Sequence, residues 1–199
     1  DKMATILMAR YNKDKAVVFN TFQLYRQDKL AFLQASFETA QQNKYILGAK
    51  LVRGAYMEKE RARAEDLGYP SPIHLDKAAT DKMFNEGLRF CLENGQKMAF
   101  MNASHNAESN LLQTEWMNDL NIPKKHPHFW FAQLQGMSDN ITFHLGAMGY
   151  NVAKYIVYGS VQDVTPYLIR RARENTAVTG DMSREYALIK EELQRRGLQ

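Results

Sequence analysis

The chain alternates between short apolar runs, which are typical of buried strands, and longer segments in which apolar residues recur with helical spacing. The apolar runs that predict strands are residues 16–22, 45–56, 97–103, 128–133 and 152–158. The segments with helical spacing are residues 24–43, 57–67, 75–93, 107–120, 138–145 and 183–196, with a further helix from 161. Five strands that alternate with helices predict an α/β protein with a parallel sheet.

Two α/β architectures fit this order, a doubly wound sheet and a (β/α)8 barrel. No strand is followed by the G-x-G-x-x-G fingerprint of a dinucleotide-binding doubly wound sheet. Polar residues instead follow several different strands, at Asn20, Arg53, Ser104, Gln133 and Tyr155. Because the active site of a barrel is built from the C-terminal ends of successive strands, this distribution predicts a TIM-like (β/α)8 barrel.

The length of the chain does not match a complete barrel. Such a barrel has eight strands and about 250 residues, whereas this chain has 199 residues and five predicted strands. Residues 1–12 look like the end of a helix from an earlier βα unit. We therefore interpret residues 1–199 as the C-terminal portion of one barrel domain, and expect an N-terminal fragment or chain to supply the missing strands.

Composition narrows the class of protein further. The net charge is only +4, and no basic run with interleaved aromatic residues indicates nucleic-acid binding. The single cysteine, Cys91, excludes an internal disulfide framework, and its helical context predicts a core residue. No apolar run approaches the ~20 residues that cross a bilayer. The histidines lack the spacing of a metal site, so we expect no metal.

A polar stripe lies on the helix that follows the last strand. Tyr167, Arg170, Arg171 and Glu174 are spaced i, i+3, i+4 and i+7, so they share one helix face. The apolar residues of this helix are expected on another face, at Val161, Val164, Leu168 and Ala172. Two adjacent guanidinium groups can hold a carboxylate or phosphate by paired hydrogen bonds. A solvated charged face is the alternative, and the tyrosine within the stripe favours binding.

Five sequence blocks, in order, cover nearly the whole chain. They are LVRGAY at 51–56, ASHN at 103–106, FAQLQGM at 131–137, YIVYG at 155–159 and YLIRRARENT at 167–176. With these blocks the chain resembles the flavin-dependent proline dehydrogenase family. The resemblance implies a distorted barrel that binds FAD, oxidises L-proline to 1-pyrroline-5-carboxylate by hydride transfer to the flavin, and passes electrons to a quinone. Hydroxyproline dehydrogenase, or a non-catalytic fragment that serves as a scaffold, are the alternatives.

The resemblance also implies which residues meet the substrate carboxylate. Arg170 and Arg171 correspond to the family's carboxylate-binding pair, because a double fork matches a carboxylate. Glu174 lies one turn beyond Arg170, and in the family this glutamate supports the arginines. A surface salt bridge is the alternative for Arg170 and Glu174.

Other residues are implied to surround the substrate ring. Tyr155 and Tyr167 resemble the aromatic residues over the five-membered ring, Leu134 the apolar residue on its other side, and Tyr56 a residue beside the reaction centre. In the sister group that oxidises hydroxyproline, a small serine typically stands at the position of Tyr155. A bulky tyrosine therefore predicts a preference for proline.

Nine residues are implied to bind the cofactor. They are Asn20, Lys50, Val52, Gly54, Ala55, Ser104, His105, Asn106 and Gln133. Lys50, Val52 and Gly54 alternate along a strand and are expected to face one side. The amides of Asn20 and Gln133 correspond to positions that hydrogen-bond the flavin ring. The block from Ser104 to Asn106 corresponds to the adenosine and pyrophosphate side, and Ser104 is also a possible helix N-cap.

The resemblance carries expectations about the complete protein. Family members deliver electrons at a membrane, so we expect a cytoplasmic protein or one peripheral to the inner membrane, on the matrix side in a mitochondrion. The family also uses a lysine and an aspartate from earlier strands. We therefore expect residues 1–199 without those strands to be neither stable nor active. The chain's closing residues favour the monofunctional type of the family.

Overall fold

The computed structural model describes residues 1–177 and 179–198, and the side chains of residues 1–171 and 186–198. The chain forms two compact units, Asp1–Tyr155 and Ile156–Gln199. The first unit contains α1 (Lys2–Tyr11), β1 (Asn20–Gln23), α2 (Lys29–Gln42), β2 (Leu47–Val52), α3 (Met57–Leu67), α4 (Lys77–Glu93), β3 (Met98–Ala103), α5 (Ala107–Asp119), β4 (Phe129–Leu134), α6 (Asp139–Ala147) and β5 (Val152–Tyr155). The second contains α7 (Val161–Ala177) and α8 (Thr179–Arg195).

The five strands form one parallel sheet in the order β1-β2-β3-β4-β5. Each strand pairs with the next one along the chain, and the order never reverses as it does in a doubly wound sheet. Sequential parallel strands joined through helices are the repeating unit of a TIM-type barrel. The predicted fold class is therefore confirmed. Within the described residues, β1 and β5 are edge strands, each paired on one side only.

The two faces of the sheet have different surroundings. Leu47, Ala49 and Leu51 alternate along β2, are 0% exposed, and belong to one core cluster with Phe84 and Leu88 of α4. Since successive side chains of a strand point to opposite faces, the residues between them lie on the other face. We call this second face the inner face. By strand register it carries Thr21, Gln23, Lys50, Val52, Met101, Ala103, Trp130, Ala132, Leu134, Ala153 and Tyr155.

Several element boundaries follow the prediction closely. The helix predicted at 57–67 is α3, Met57–Leu67, and it ends at Gly68, whose φ of 66° is left-handed. The helix predicted at 75–93 is α4, Lys77–Glu93, which begins after Asp76 because the Asp76 side chain accepts a hydrogen bond from the Ala79 amide. Cap and stop residues act locally, so their positions can be read from the sequence.

The first strand was predicted too early. Residues 16–22 were expected to form it, but β1 begins at Asn20 and ends at Gln23. The reason is the buried side chain of Asn12, whose Oδ1 accepts hydrogen bonds from the amides of Val17 and Val18 at 3.0 and 2.9 Å. Its Nδ2 donates to the carbonyl of Val18 at 2.8 Å. The backbone of these two valines is therefore bonded to a side chain and not to the sheet.

Cys91 is a core residue, as predicted, and its reactivity should reflect this. Its side chain is 0% exposed, and burial raises the pKa of the thiol well above its usual value. Because the thiolate is the reactive species, we expect an aromatic disulfide reagent at pH 8 to label the protein only after unfolding in denaturant. Stoichiometric labelling of the folded protein at the rate of a small free thiol would contradict this burial.

Candidate functional site

Four of the predicted site residues share the inner face of the first unit. They are Lys50 and Val52 on β2, Leu134 at the end of β4, and Tyr155 at the end of β5, with Leu134 and Tyr155 paired in register. The ammonium nitrogen of Lys50 lies 5.2 Å from the centroid of the Tyr155 ring. A cation at this distance from an aromatic face is attracted to it. A predicted cofactor residue and a predicted substrate residue are thus neighbours.

The turn after β2 contains three further predicted residues, Gly54, Ala55 and Tyr56. Gly54 has φ of 141°, and a Cβ atom built on it would lie 1.5 Å from Cδ1 of Tyr25. The glycine is therefore required by the ring of Tyr25, a reason that the sequence did not reveal. Tyr56 precedes the first residue of α3 and is 37% exposed.

Tyr56 also lines an open cleft of about 630 Å³. Its other lining residues are Arg26, Lys59, Glu60, Arg63 and Tyr69. Glu60 accepts hydrogen bonds from the hydroxyl of Tyr25 and from Arg26. Burial raises the pKa of the Tyr25 hydroxyl, and the hydrogen bond to Glu60 raises it further. With three cations and one carboxylate, the cleft carries a net positive charge.

The segment Ser104–Asn106 follows β3, and Ser104 does not cap the helix that comes after it. Its hydroxyl accepts hydrogen bonds from Nη1 of Arg53 at 2.7 Å and from the Asn106 amide at 3.1 Å, and it is 5% exposed. The N-cap of α5 is Asn106, whose Oδ1 accepts from the Ser109 amide at 2.9 Å. Reading Ser104 as an N-cap was therefore wrong. The ring of His105 contacts Ser138, with 2.9 Å between Nδ1 and Oγ.

Two predicted flavin-ring amides are not on the inner face. Gln133 is 2% exposed on the helix-covered face, where Nε2 donates to the Ser104 carbonyl at 3.1 Å and Oε1 accepts from Oγ1 of Thr142 at 2.9 Å. Asn20 was expected at the C-terminal end of its strand. It is instead the first residue of β1, where it pairs with Ala49. Its Nδ2 donates to Asp1 at 3.1 Å. These positions disagree with amides directed at a ring on the inner face.

Three polar residues of this region were not among the predicted site residues. Thr21 and Gln23 lie on the inner face, because they pair with Lys50 and Val52. The signal was present in the sequence, since Phe22 is buried and the polar residues on either side of it must face the opposite way. Arg53 was noted at a strand end but given no role, and it makes three side-chain hydrogen bonds.

In the second unit, the predicted polar stripe forms a cluster around Tyr167. The guanidinium carbons of Arg170 and Arg171 lie 5.4 and 5.5 Å from the centroid of the Tyr167 ring. All three side chains are half-buried. The expected apolar stripe is not the buried side of α7, because Val161 is 83% exposed and Leu168 is 52% exposed. Ala172 and Glu174 lie outside the residues whose side chains are described.

The sequence matches a known protein family over most of its length. The proline dehydrogenase family model matches residues 1–184 of the chain. The chain belongs to the proline dehydrogenase family.

Relatives in the proline dehydrogenase family include enzymes named for two substrates. Mitochondrial proline dehydrogenase 1 of Drosophila melanogaster is 41% identical over 200 residues, which cover 96% of this chain and 29% of the relative. Hydroxyproline dehydrogenase of Xenopus laevis is 40% identical over 194 residues, covering 96% of this chain and 42% of the relative. The chain thus spans less than half the length of these relatives.

Solved structures of proline utilization A proteins have a similar fold. Proline utilization A from Bdellovibrio bacteriovorus, in a form inactivated by N-propargylglycine, matches with a TM-score of 0.80 and 30% identity. The match covers 88% of this chain and 18% of that one. A proline utilization A structure with proline bound in remote sites has a TM-score of 0.78 at 24% identity, a likeness of fold.

The Drosophila melanogaster and Homo sapiens proline dehydrogenases are named as mitochondrial. Across residues 1–177 and 179–198, no helix is long and apolar enough to cross a membrane. Among the described side chains, no group of three or more His, Cys, Asp or Glu residues is arranged to hold a metal ion.

Proposed function

We propose that the full-length protein oxidises L-proline to 1-pyrroline-5-carboxylate, with FAD as the hydride acceptor and a quinone as the final electron acceptor. The observation that carries the proposal is the cluster of Tyr167, Arg170 and Arg171 in a chain of the proline dehydrogenase family. Two adjacent guanidinium groups can bind a carboxylate, and an aromatic ring beside them can pack on an apolar ring. A small cyclic amino acid has both a carboxylate and an apolar ring.

The residues of the inner face fit a planar flavin. Towards the C-terminal ends of the strands the face carries the small side chains of Ala103, Ala132 and Ala153, which leave room for a flat ring. Lys50 places a cation on the same face, beside Tyr155. An ammonium group suits the electron-rich edge of a flavin, since nearby positive charge stabilises the reduced, anionic form. We propose that Lys50, Val52, Gly54 and Ala55 contact the isoalloxazine.

The reaction removes a hydride from Cδ of proline, the carbon next to the nitrogen that does not carry the carboxylate, and a proton from the nitrogen. FAD, when bound, supplies the acceptor for the hydride. Arg170 and Arg171 would hold the carboxylate by two forks and so orient the reacting carbon. Tyr155, Tyr167 and Leu134 would pack on the pyrrolidine ring and exclude water from the path of the hydride.

Further residues have proposed roles beside the substrate and along the cofactor. We propose that Glu174 supports the arginines, that Tyr56 borders the reaction centre, and that His105 and Asn106 contact the adenosine and pyrophosphate portion of FAD. Because Asn20 and Gln133 are bonded elsewhere, we propose that Thr21 and Gln23 provide the polar contacts to the flavin from β1.

The sheet supports the proposal that further strands complete this domain. Within the described residues β1 and β5 have one unpaired edge each, and an exposed edge favours pairing with another strand. Closing a TIM-type barrel takes eight strands, and the part of the chain that the structure describes forms five. We propose that residues 1–199 are the C-terminal part of the barrel, and that an N-terminal portion supplies the other strands. Neither nucleic acid nor a metal enters this function.

Electron delivery to a quinone implies contact with a membrane surface. We propose a peripheral location, at the inner membrane on the matrix side in a mitochondrion or at the cytoplasmic side in a bacterium. The mitochondrial names of several relatives support the first of these locations.

The test of this function uses the full-length protein. We expect the purified protein to show an oxidised flavin spectrum, which L-proline bleaches under anaerobic conditions and a soluble quinone analogue restores. D-proline, whose carboxylate lies on the other side of the ring, serves as the control and should bleach the flavin far more slowly. A folded full-length protein without flavin would make this chain part of a non-catalytic scaffold, and bleaching by hydroxyproline in preference to proline would make it part of a hydroxyproline dehydrogenase.

Tyr155 is expected to determine the preference of the enzyme for proline over hydroxyproline. In Tyr155→Ser, the ratio of kcat/KM for hydroxyproline to kcat/KM for proline should rise about 10- to 100-fold, because the smaller side chain leaves room for the ring hydroxyl. Steady-state kinetics with both substrates measure this ratio. Tyr186→Ser is the matched control, since Tyr186 is a 70% exposed tyrosine on α8 and should leave the ratio unchanged. An unchanged ratio in Tyr155→Ser would contradict the steric argument.

A further inference from the structure

Arg53 uses all three nitrogen atoms of its guanidinium group at the C-terminal end of β2. Nε donates to Oδ1 of Asp81 at 2.6 Å, Nη1 to Oγ of Ser104 at 2.7 Å, and Nη2 to Oγ of Ser109 at 2.9 Å. The guanidinium carbon also lies 4.3 Å from the centroid of the Phe84 ring. Arg53 therefore joins the ends of two strands, β2 and β3, to two helices, α4 and α5.

The partners of Arg53 are themselves held in place. Asp81 also accepts a hydrogen bond from Lys77 at 2.5 Å. Burial acts to raise the pKa of Asp81, but the hydrogen bonds from Lys77 and Arg53 outweigh it, so the pKa lies below its usual value. Ser109 donates from its hydroxyl to Oδ1 of Asn85 at 2.7 Å. An ionised carboxylate opposite a half-buried guanidinium makes this a fully paired network, the arrangement in which such groups order their surroundings.

The network around Arg53 restrains Ser104, and His105 is the residue that follows it. Arg53 holds the hydroxyl of Ser104, while Nε2 of Gln133 and Nδ2 of Asn110 both donate to its carbonyl at 3.1 Å. These three hydrogen bonds restrain both the side chain and the carbonyl of Ser104, and through them the backbone of His105. The ring of His105 is then oriented by Ser138.

We infer that Arg53 is a positioning residue for the cofactor, which holds Ser104–Asn106 where this segment contacts the adenosine and pyrophosphate portion of FAD. The inference rests on the proposed function and deepens it. Arg53 does not touch the cofactor in this assignment; it acts through Ser104. Lysine cannot replace it, because an ammonium group is a point charge and cannot reach three acceptors in a fixed plane.

The experiment compares variants of the full-length apoprotein by their Kd for FAD, measured by quenching of flavin fluorescence. Arg53→Lys should raise the Kd about 10- to 100-fold, the usual effect of losing hydrogen bonds that orient a ligand-binding group. At saturating FAD, its kcat and KM for proline should stay within about threefold of wild type, because the substrate residues are elsewhere. Each variant's apoprotein Tm is measured in parallel.

Arg89→Met is the matched control. Arg89 lies on α4, pairs with Glu93 at 2.7 Å and stacks 5.4 Å from the ring of Trp116, so it reproduces the ion pair and aromatic contact of Arg53 away from Ser104. Its FAD affinity should equal that of wild type. If Arg53→Lys lowers the apoprotein Tm but leaves the Kd for FAD unchanged, Arg53 is a structural residue only and the inference is wrong.

Ser104→Ala tests the same link should Arg53→Lys fail to fold. It removes the hydroxyl that accepts hydrogen bonds from Arg53 and from the Asn106 amide, and we expect a weakening of FAD binding in the same direction but smaller. Unchanged FAD affinity in Ser104→Ala would overturn the inference. The wild-type protein tests the proposed function separately: absence of FAD binding there would remove both, whereas normal FAD binding with insensitive variants would remove only the role of Arg53.

Discussion

Replacing Arg170 or Arg171 by methionine in the full-length protein is expected to lower kcat/KM for L-proline roughly 30- to 5000-fold. This range corresponds to a loss of about 2–5 kcal/mol of binding free energy, which is typical when one partner of a desolvated charge pair is removed. Both guanidinium groups lie at the ring of Tyr167, and in the proposed function each provides one fork for the carboxylate. Most of the loss should fall on KM, because the carboxylate is not the reacting group. Steady-state kinetics measure the effect.

The substrate provides an internal test of this assignment. For L-prolinamide, which lacks the negative carboxylate, the variants and the wild-type protein should differ far less than they do for L-proline. Arg195→Met is the matched control, because Arg195 lies exposed on α8 and pairs with Glu192 at 2.6 Å. An equal loss with both substrates, or with Arg195→Met, would show that α7 does not bind the carboxylate.

Gly54→Ala is expected to lower the free energy of unfolding by more than about 3 kcal/mol, from backbone strain and overpacking together. The φ of Gly54 is 141°, and the added Cβ would lie 1.5 Å from Cδ1 of Tyr25, whose ring is 0% exposed. Since Tyr25 is buried and bonded to Glu60, its ring cannot move aside without breaking that contact. Denaturant unfolding of the full-length protein measures the loss.

Gly146→Ala separates this effect from a general effect of replacing glycine. Gly146 lies in α6, and its added Cβ would meet only Cγ2 of Val152 at 3.5 Å, an ordinary contact. Gly146 is the penultimate residue of α6, where the helix preference for alanine over glycine is smaller than the about 1 kcal/mol of a helix interior, so this variant should be about as stable as wild type. Similar destabilisation by the two substitutions would contradict the role of Tyr25.

The sequence predicted best those features that depend on neighbouring residues. The helix at 57–67 and the end of α4 at Glu93, which Asn94 caps, follow from local turn and capping chemistry. The first strand was displaced because the backbone of Val17 and Val18 bonds to the side chain of Asn12, which precedes them by five and six residues and ends a different element. No periodicity along the strand itself reports such a contact.

For the candidate site, the sequence named residues but not the face of the sheet on which each one lies. Lys50, Leu134 and Tyr155 were identified from the family's motifs, and all three lie on the inner face. Gln133 was identified in the same way but points into the helix-covered face, where Ser104 and Thr142 satisfy its amide. The face on which a strand residue lies changes with a shift of one position, so a motif without its register leaves the direction open.

By itself the sequence determined the α/β class, the order of strands and helices, the membership in a family and the helix that carries Tyr167, Arg170 and Arg171. These follow from periodicity and from motifs along the chain. Only the tertiary structure decided that Thr21 and Gln23 share a face with Lys50, that Gly54 is required by Tyr25, and that Arg53 bonds to Ser104, Asp81 and Ser109. Those contacts join residues 28 to 56 positions apart, and strand register and helix packing bring them together.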